Sequence, residues 1–171
     1  MEEFLIVDGY NIIGAWPQLS RLKDIDLEGA RDKLIHMLAE YQSFSGMKVY
    51  LVFDAYMVPG LGKKYLQSKL DVLYTKEKET ADELIERLVV NLMGRRKQIY
   101  VATSDMIEQH VIFGKGALRL PANELLVKIT QSRKEVRERI HPEATSKRNP
   151  IAGKLNSELI EQLERWRRGE R

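Results

Sequence analysis

Short apolar runs alternate along the chain with longer stretches in which apolar residues recur every three or four positions. Three runs are typical of buried strands and a fourth, shorter run is a further candidate: Phe4–Val7, Lys48–Phe53, Ile99–Ala102 and Val72–Tyr74. Helical spacing predicts four helices, at Leu27–Ser45, Leu84–Leu92, Pro121–Ile140 and Leu155–Trp166. Strands that alternate with helices of this length predict an α/β fold, with a mostly parallel sheet and helices on both faces.

The length of 171 residues suits a single domain. We expect its core to run from about residue 4 to residue 140. A segment containing Pro142, Pro150 and Gly153 then leads into the last predicted helix. Residues 141–171 are therefore interpreted as a connector and a C-terminal helix of the same domain, not as a second domain.

Several classes of chemistry are excluded by what the sequence lacks. It has no cysteine, which rules out thiolate zinc sites and cysteine nucleophiles, and its three histidines form no HExxH pair. The first strand is followed neither by GxGxxG nor by a complete phosphate-binding loop, so no small-molecule cofactor is expected. No apolar run is long enough to span a membrane and the acidic start is unlike a signal peptide, so we expect a cytoplasmic protein.

The net charge of +3 is unevenly distributed along the chain. Residues 128–171 carry a net charge of +5, whereas the first 127 residues carry −2. This distribution fits an acidic centre beside a surface that attracts polyanions, and it also fits a solvated helical tail. Charge alone leaves both interpretations open.

Acidic residues follow three of the predicted strands. Asp8, Asp54 and Asp105 stand at or just after the strand ends, and Asp82 lies in the first turn of a predicted helix. The carboxyl ends of parallel strands share one edge of a sheet, and ligands bind in the crevice at that edge. Aspartates as many as 97 positions apart in sequence are therefore expected to converge there.

Clustered carboxylates raise one another's pKa, and a divalent cation removes this conflict. The chain offers carboxylate oxygens as metal ligands but has no cysteine and no paired histidines, and such a set of ligands favours Mg²⁺ or Mn²⁺ over zinc. Such an ion activates water and stabilises displacement at phosphorus, so the acids predict a phosphodiesterase centre. Three of the four acids also have a simpler interpretation: Asp82 in a capping box from Thr80 to Glu83, Asp8 in a turn, and Asp105 as a helix cap.

Four segments together resemble the NYN-domain nucleases, which are relatives of the PIN and FLAP nucleases. Residues 5–13 have the sequence LIVDGYNII, and the ordered set with VFDA at 52–55, ETAD at 79–82 and ATSD at 102–105 is similar to the YacP-like branch of bacterial NYN proteins. The likeness covers residues 4 to about 140, and the last helix agrees in length and charge. It implies a PIN-like three-layer α/β/α fold with a mostly parallel central sheet and a C-terminal helix.

The same resemblance implies a metal-dependent endoribonuclease that leaves 5′-phosphate and 3′-hydroxyl ends. It implies messenger RNA as the substrate and the ribosome as a partner. Asp8, Asp82 and Asp105 would hold Mg²⁺ or Mn²⁺. Asn11 would lie beside the metal or the scissile phosphate, and Ser104 would orient Asp105 or a phosphate oxygen.

Two further acids have open roles. Asp54 is treated as peripheral, because the Ala55-Tyr56 that follows gives it no distinctive context. Glu79 is close enough to Asp82 in sequence to join the cluster, but a position in a loop explains it equally well.

An acidic centre repels the RNA backbone, so positive charge is needed around it. Basic residues after the second strand and along the C-terminal third form the predicted RNA-binding set: Lys63, Lys64, Lys69, Arg133, Lys134, Arg137, Lys147 and Arg148. The first three are expected near the carboxyl edge, whereas Arg95–Lys97 is expected to face away from it. Trp16, Tyr56 and Tyr65 are candidates for base stacking, although such residues are more often part of the core.

Two other functional classes stay open beside the endoribonuclease. A non-catalytic RNA- or ribosome-binding module would keep the fold and the basic surface, and loss of the acids would be its signature. A structure-specific DNA nuclease of the FLAP type generally carries more acids and an added helical arch, for which 171 residues leave little space.

Overall fold

The computed structural model describes residues 1–55, 64–67, 69–105, 116–141, 161–162 and 164–169, with the backbone alone for 64–67. The chain divides into two compact units, Met1–Ser132 and Arg133–Arg171. The first unit contains the predicted α/β fold. None of the helices in the described ranges is both long enough and apolar enough to span a membrane.

The described strands of the first unit are β1 (Glu2–Asp8), β2 (Lys48–Phe53), β3 (Lys64–Gln67), β4 (Leu70–Tyr74), β5 (Lys97–Ala102) and β6 (Leu118–Leu120). The helices are α1 (Gly9–Ala15), α2 (Pro17–Ile25), α3 (Leu27–Ser45), α4 (Ala81–Leu92) and α5 (Ala122–Ile140), the last of which continues into the second unit.

The strands form one sheet in the order β3-β4-β2-β1-β5-β6. Five of them are parallel, and β3 pairs with β4 in the antiparallel sense at the edge. Numbered along the chain, the parallel strands have the doubly wound order 3-2-1-4-5, which reverses between β1 and β5. In such sheets the ligand crevice lies at the carboxyl ends of the strands where the order reverses.

Alternate residues of the strands are buried on opposite faces of the sheet, as pleating requires. Leu5 and Val7 of β1 pack in the core formed with α1, α2, α3 and the start of α5. Phe4 and Ile6 pack in a second core, against Ile85 and its neighbours on α4. Helices therefore cover both faces, which confirms the predicted three-layer α/β/α arrangement.

The helix boundaries follow local capping signals. Thr80 and Glu83 form the predicted capping box at the start of α4, with hydrogen bonds of 3.2 and 3.3 Å. At the start of α3 the Asp26 side chain accepts a hydrogen bond from the Gly29 N–H at 2.9 Å. Gly46 ends α3 at φ 74°, a left-handed conformation that a side chain disfavours.

The sequence pattern missed four elements. Helices α1 and α2 have seven and nine residues, which is too short for a clear helical period, and Asp8-Gly9 resembles a turn. Strands β3 and β6 have only four and three residues. The short strand predicted at Val72–Tyr74 is the carboxyl part of β4.

The second unit begins within α5 and includes helical residues 161–162 and 164–167. Except for Arg167, these residues fall within the last predicted helix, whose earlier part lies outside the described residues. Arg133 is half-buried, and the rest of α5 in this unit is exposed.

Candidate active site at the switch point of the sheet

The site lies at the carboxyl ends of β1, β2 and β5. Asp8 is the last residue of β1, Asp54 directly follows β2, and Asp105 is three residues beyond the end of β5. Strand β1 pairs with both β2 and β5, so these three acids follow three neighbouring strands. The topology therefore places Asp8, Asp54 and Asp105 at the same edge of the sheet.

Asp8 is almost completely buried, with 8% of its surface exposed. Alternation along β1 places it on the face of Phe4 and Ile6, which is the face covered by α4. It also occupies the position before the first residue of α1, where its side chain makes no capping hydrogen bond. The Asp8 side chain therefore does not cap α1.

Gly9 allows α1 to begin directly at the end of β1. A Cβ atom at this position would lie 2.4 Å from Phe53 Cε1 and 2.9 Å from the Val52 carbonyl oxygen. Both distances are below any normal van der Waals contact. The absence of a side chain at Gly9 therefore lets Asp8 lie against the end of β2.

Asn11 links α1 to the segment that follows β5. Its Oδ1 accepts hydrogen bonds from the Ser104 backbone N–H at 2.6 Å and from the Ser104 hydroxyl at 2.7 Å. The neighbouring Thr103 is fully buried, and its hydroxyl oxygen accepts a hydrogen bond from the Asp105 N–H at 3.1 Å. These bonds fix the approach of Asp105 to the end of β1, across the point where the strand order reverses.

On the other side of Asp8, Tyr10 contacts the end of β2. Its ring centroid lies 5.0 Å from that of Phe53, and its hydroxyl accepts a hydrogen bond from Arg31 Nη1 at 3.1 Å. Burial raises the pKa of the Tyr10 hydroxyl; Arg31 lowers it and the Asp54 carboxylate raises it, and the net shift is upward. Tyr10, two residues after Asp8, therefore connects α1 with the end of β2 and with α3.

The backbone around Asp54 is held by Thr75, which is fully buried at the end of β4. The Ala55 N–H donates to the Thr75 hydroxyl at 2.8 Å, and the Thr75 N–H donates to the Phe53 carbonyl at 3.1 Å. The position of Asp54 is therefore set by hydrogen bonds between neighbouring strand ends.

Asp82 is exposed in the first turn of α4. Because β4 ends at Tyr74 and α4 follows it, this first turn lies at the carboxyl edge and on the face of the sheet to which Asp8 belongs. The capping box confirms the local role of the Thr80–Glu83 segment, and this role leaves the Asp82 carboxylate exposed.

Glu79 is engaged in the loop before α4. It forms an ion pair with Arg87 and accepts a hydrogen bond from the Lys76 N–H at 3.0 Å. Burial raises the pKa of Glu79, but these two contacts outweigh it, so the pKa lies below its usual range. The contacts support the interpretation of Glu79 as a loop residue over that of a metal ligand.

Within the described ranges, no three His, Asp or Glu side chains lie close enough together to hold a metal ion. The oxygen donors at this edge still match the preference of Mg²⁺, which is commonly held by one or two carboxylates, waters and substrate phosphates. Asp8, Asp105 and Asn11 are donors of that kind.

A cleft of about 480 Å³ near Phe4, Gly46 and Lys48 lies at the opposite edge of the sheet, away from these acids.

The predicted RNA-binding lysines lie at different edges. The Lys64 backbone pairs with Leu73 near the carboxyl end of β4, as expected. Lys69 instead precedes β4 at the amino edge, where its carbonyl accepts a hydrogen bond from the Gln42 side chain at 3.0 Å. Its predicted position near the carboxyl edge is wrong, because β3 carries the chain back across the sheet.

The other basic candidates lie either in the second unit or outside the described residues. Arg133, Lys134 and Arg137 lie on α5 in the second unit, and Lys63, Lys147 and Arg148 lie outside the described residues. The run Arg95–Lys97 precedes β5 at the amino edge, as expected.

Trp16 is not available for base stacking, because only 1% of its surface is exposed and its Nε1–H donates to the Ala122 carbonyl at 2.8 Å. Tyr56 lies outside the described residues, and the side chain of Tyr65 is likewise not described.

Two residues with contacts at this edge, Tyr10 and Arg31, were not among the candidates predicted from sequence. Tyr10 stands between Gly9 and Asn11, in the motif that carried the resemblance, and this position was an available signal. Arg31 belongs to the regular pattern of α3 and gave no signal of its own.

The fold and the site define a doubly wound α/β protein with an acidic, hydrogen-bonded centre at its switch point. A sequence model of the YacP-like NYN domain matches residues 5–168. The chain is 48% identical over 170 residues to a protein of Bacillus subtilis (strain 168) described as the uncharacterized protein YacP, with 98% of each chain covered.

Two crystal structures of Rae1 (YacP) from Bacillus subtilis are similar to this chain. One is 48% identical, with a TM-score of 0.73, over 98% of this chain and 95% of that chain. The other, a tryptophan-to-leucine variant, is 44% identical, with a TM-score of 0.75, over 99% of this chain and 97% of that chain.

The chain therefore belongs to the YacP-like NYN-domain family. This membership supports a nuclease-type function and suggests RNA as the substrate.

Proposed function

We propose that this protein is a metal-dependent endoribonuclease that cleaves messenger RNA in association with the ribosome. Cleavage would leave 5′-phosphate and 3′-hydroxyl ends. The observation that carries the proposal is the pair of hydrogen bonds between Asn11 and Ser104, at 2.6 and 2.7 Å. They join the ends of β1 and β5 where the strand order reverses, with Asp8 and Asp105 on the two sides.

The metal proposal rests on the donors at this edge. Asp8, Asp82 and Asp105 would hold Mg²⁺ or Mn²⁺, with Asp8 and Asp82 as the leading ligands; Asp82 is exposed on the face of the sheet to which Asp8 belongs. The ion would lower the pKa of a bound water and stabilise the charge that develops at phosphorus.

The remaining polar groups of the site would position the RNA. Because Asn11 uses Oδ1 on Ser104, its Nδ2 is the atom that would donate to a phosphate oxygen or to a water. Ser104 would act mainly by holding Asn11 and the segment that leads to Asp105.

The proposed association with the ribosome is based on the net charge of the chain as well as on the family resemblance. A net charge of +3 is low for a protein that binds RNA without help, and the positive charge is concentrated in residues 128–171. We therefore expect weak cleavage of free RNA and productive cleavage of translated message. Arg133, Lys134 and Arg137, with Lys63, Lys64, Lys147 and Arg148, are the proposed RNA contacts, and Lys69 would contribute only at the opposite edge.

The test is cleavage of a translated reporter message by wild type, Asp8→Asn and Asp82→Asn. Each reaction is run with and without ribosomes, and with Mg²⁺ or EDTA. Asp24→Asn is the matched control, because Asp24 is an exposed carboxylate on α2. We expect cleavage by wild type and the control with ribosomes and Mg²⁺, and its loss in EDTA and in both site variants.

Unimpaired cleavage by Asp8→Asn and Asp82→Asn would contradict the acidic site. Equal cleavage of free and translated RNA would contradict the ribosome assignment while leaving the nuclease. Binding to ribosomes without cleavage under any condition would favour the alternative of a non-catalytic binding module.

A further inference from the structure

The guanidinium of Arg31 lies at the same edge of the sheet as the proposed active site. Helix α3 ends at Ser45, just before β2 begins, so it runs antiparallel to the strands and starts at their carboxyl ends. Arg31 is the fifth residue of α3 and is half-buried. A cation is therefore presented beside the ends of β1 and β2, close to the acids.

Tyr10 holds this guanidinium in place. The Tyr10 hydroxyl accepts a hydrogen bond from Arg31 Nη1 at 3.1 Å, and the Tyr10 ring packs against the fully buried Phe53. A flexible side chain that is already oriented loses less entropy when it binds a ligand.

Most of the hydrogen-bonding capacity of Arg31 remains unused. A guanidinium has five N–H donors, and in the described part of the chain Arg31 makes a single hydrogen bond and no ion pair. Its planar arrangement of donors matches two oxygens of a phosphate group. The position fits a contact with an RNA phosphate more closely than charge balance inside the fold.

We infer that Arg31, oriented by Tyr10, binds a backbone phosphate of the RNA strand on the β2 side of the active site. Arg31 is thus a substrate-binding residue and Tyr10 a positioning residue. With Asn11 and Ser104 on the β5 side, this contact places Asp8 between two polar clusters. The inference rests on the proposed function, because it requires RNA at this edge.

The test is equilibrium binding of a short fluorescein-labelled single-stranded RNA in EDTA, so that no metal-dependent cleavage occurs. Binding is measured from about 50 to 200 mM salt, because each phosphate contact on a single strand contributes about −0.7 to the salt slope. The variants are Arg31→Gln, Arg31→Lys and Tyr10→Phe. Arg95→Gln is the matched control, since it removes an exposed arginine at the opposite edge.

We expect Arg31→Gln to weaken binding about tenfold and to reduce the slope by about 0.7. Arg31→Lys should keep the slope but bind more weakly, because lysine lacks the planar pair of donors. Tyr10→Phe should weaken binding without changing the slope. Arg95→Gln should match wild type, and thermal melts establish that each variant is folded.

An unchanged slope and affinity for Arg31→Gln would overturn the inference, as would an equal loss for Arg95→Gln. A lower melting temperature for Arg31→Gln with wild-type RNA binding would assign Arg31 to charge balance instead. If wild type cleaves translated message but Arg31→Gln retains the wild-type slope, only this inference fails. If wild type neither binds nor cleaves RNA, the proposed function fails with it.

Discussion

Adding one methyl group at Gly9 tests the packing that places Asp8. In Gly9→Ala the new Cβ would lie 2.4 and 2.5 Å from two Phe53 ring carbons and 2.9 Å from the Val52 carbonyl oxygen. Favourable carbon–carbon contacts are about 3.5–4.0 Å, so the helix and the ring must separate by about 1 Å. Phe53 is fully buried between the rings of Tyr10 and Tyr74 and has little space to move.

This overlap should destabilise the fold by about 2–3 kcal/mol, which is typical of an overpacked core. A melting temperature falls by about 2–4 °C per kcal/mol in a chain of this size, so we expect a decrease of about 5–10 °C. The displacement also moves Asp8, and a shift of about 1 Å in a reacting group costs about a hundredfold in rate. Thermal melting and cleavage of translated message measure the two effects.

Gly14→Ala provides the matched control in the same helix. No atom lies within 4 Å of its Cβ position, and Gly14 is exposed. Replacing an exposed helical glycine by alanine stabilises a helix by about 0.5–1 kcal/mol. The two variants should therefore shift the melting temperature in opposite directions. Equal melting temperatures for Gly9→Ala and wild type would refute the close packing of α1 on β2.

Three further predictions concern single contacts. Ser104→Ala removes the 2.7 Å hydrogen bond to Asn11, and we expect a loss of about 1 kcal/mol in urea unfolding together with slower cleavage; unchanged cleavage would contradict the role of this link. Arg87→Gln removes the ion pair that helps to lower the pKa of Glu79 in the folded state. Because this pKa is lowered, the ion pair stabilises the fold at pH values above the pKa of Glu79 in the unfolded chain, and the stabilisation is lost as the pH falls through its pKa in the folded state. Its destabilisation, about 1 kcal/mol at pH 7, should therefore disappear in acid, and a difference that is constant from pH 7 to pH 3 would refute it. Trp16→Phe removes a buried N–H donor and should lower the free energy of unfolding by about 1–3 kcal/mol; a wild-type urea midpoint would show that this hydrogen bond contributes nothing.

Sequence periodicity was sufficient for the long elements. The strands β1, β2 and β5 and the helices α3, α4 and α5 have local patterns that identify them, because burial of one face imposes a period that a single segment displays. The positions of Asp8, Asp54 and Asp105 at strand ends followed from the same patterns. Short elements such as α1 and β6 are stabilised by tertiary packing and leave too few residues for a period.

The contacts across the site required the tertiary structure. Asn11 and Ser104 are 93 positions apart, and their hydrogen bonds depend on the placement of β5 beside β1, which neither segment encodes alone. From sequence, Trp16 was a candidate both for base stacking and for the core. Its burial and its hydrogen bond to the Ala122 carbonyl place it in the core. Lys69 was misplaced because the path of β3 was not visible in the pattern.

The sequence by itself thus determined the fold class, the acidic strand ends and, through the motifs at residues 5–13, 52–55, 79–82 and 102–105, the family. The tertiary structure decided which polar contacts form beside the end of β1: Asn11 with Ser104 towards β5, and Tyr10 with Arg31 towards β2. The physical reason is that hydrophobic periodicity reports whether a segment is buried, whereas hydrogen-bond partners are set by strand order and by the close approach of backbones. The close approach of the Gly9 backbone to Phe53 and Val52, which leaves no space for a methyl group, is one example, and it lies directly beside Asp8.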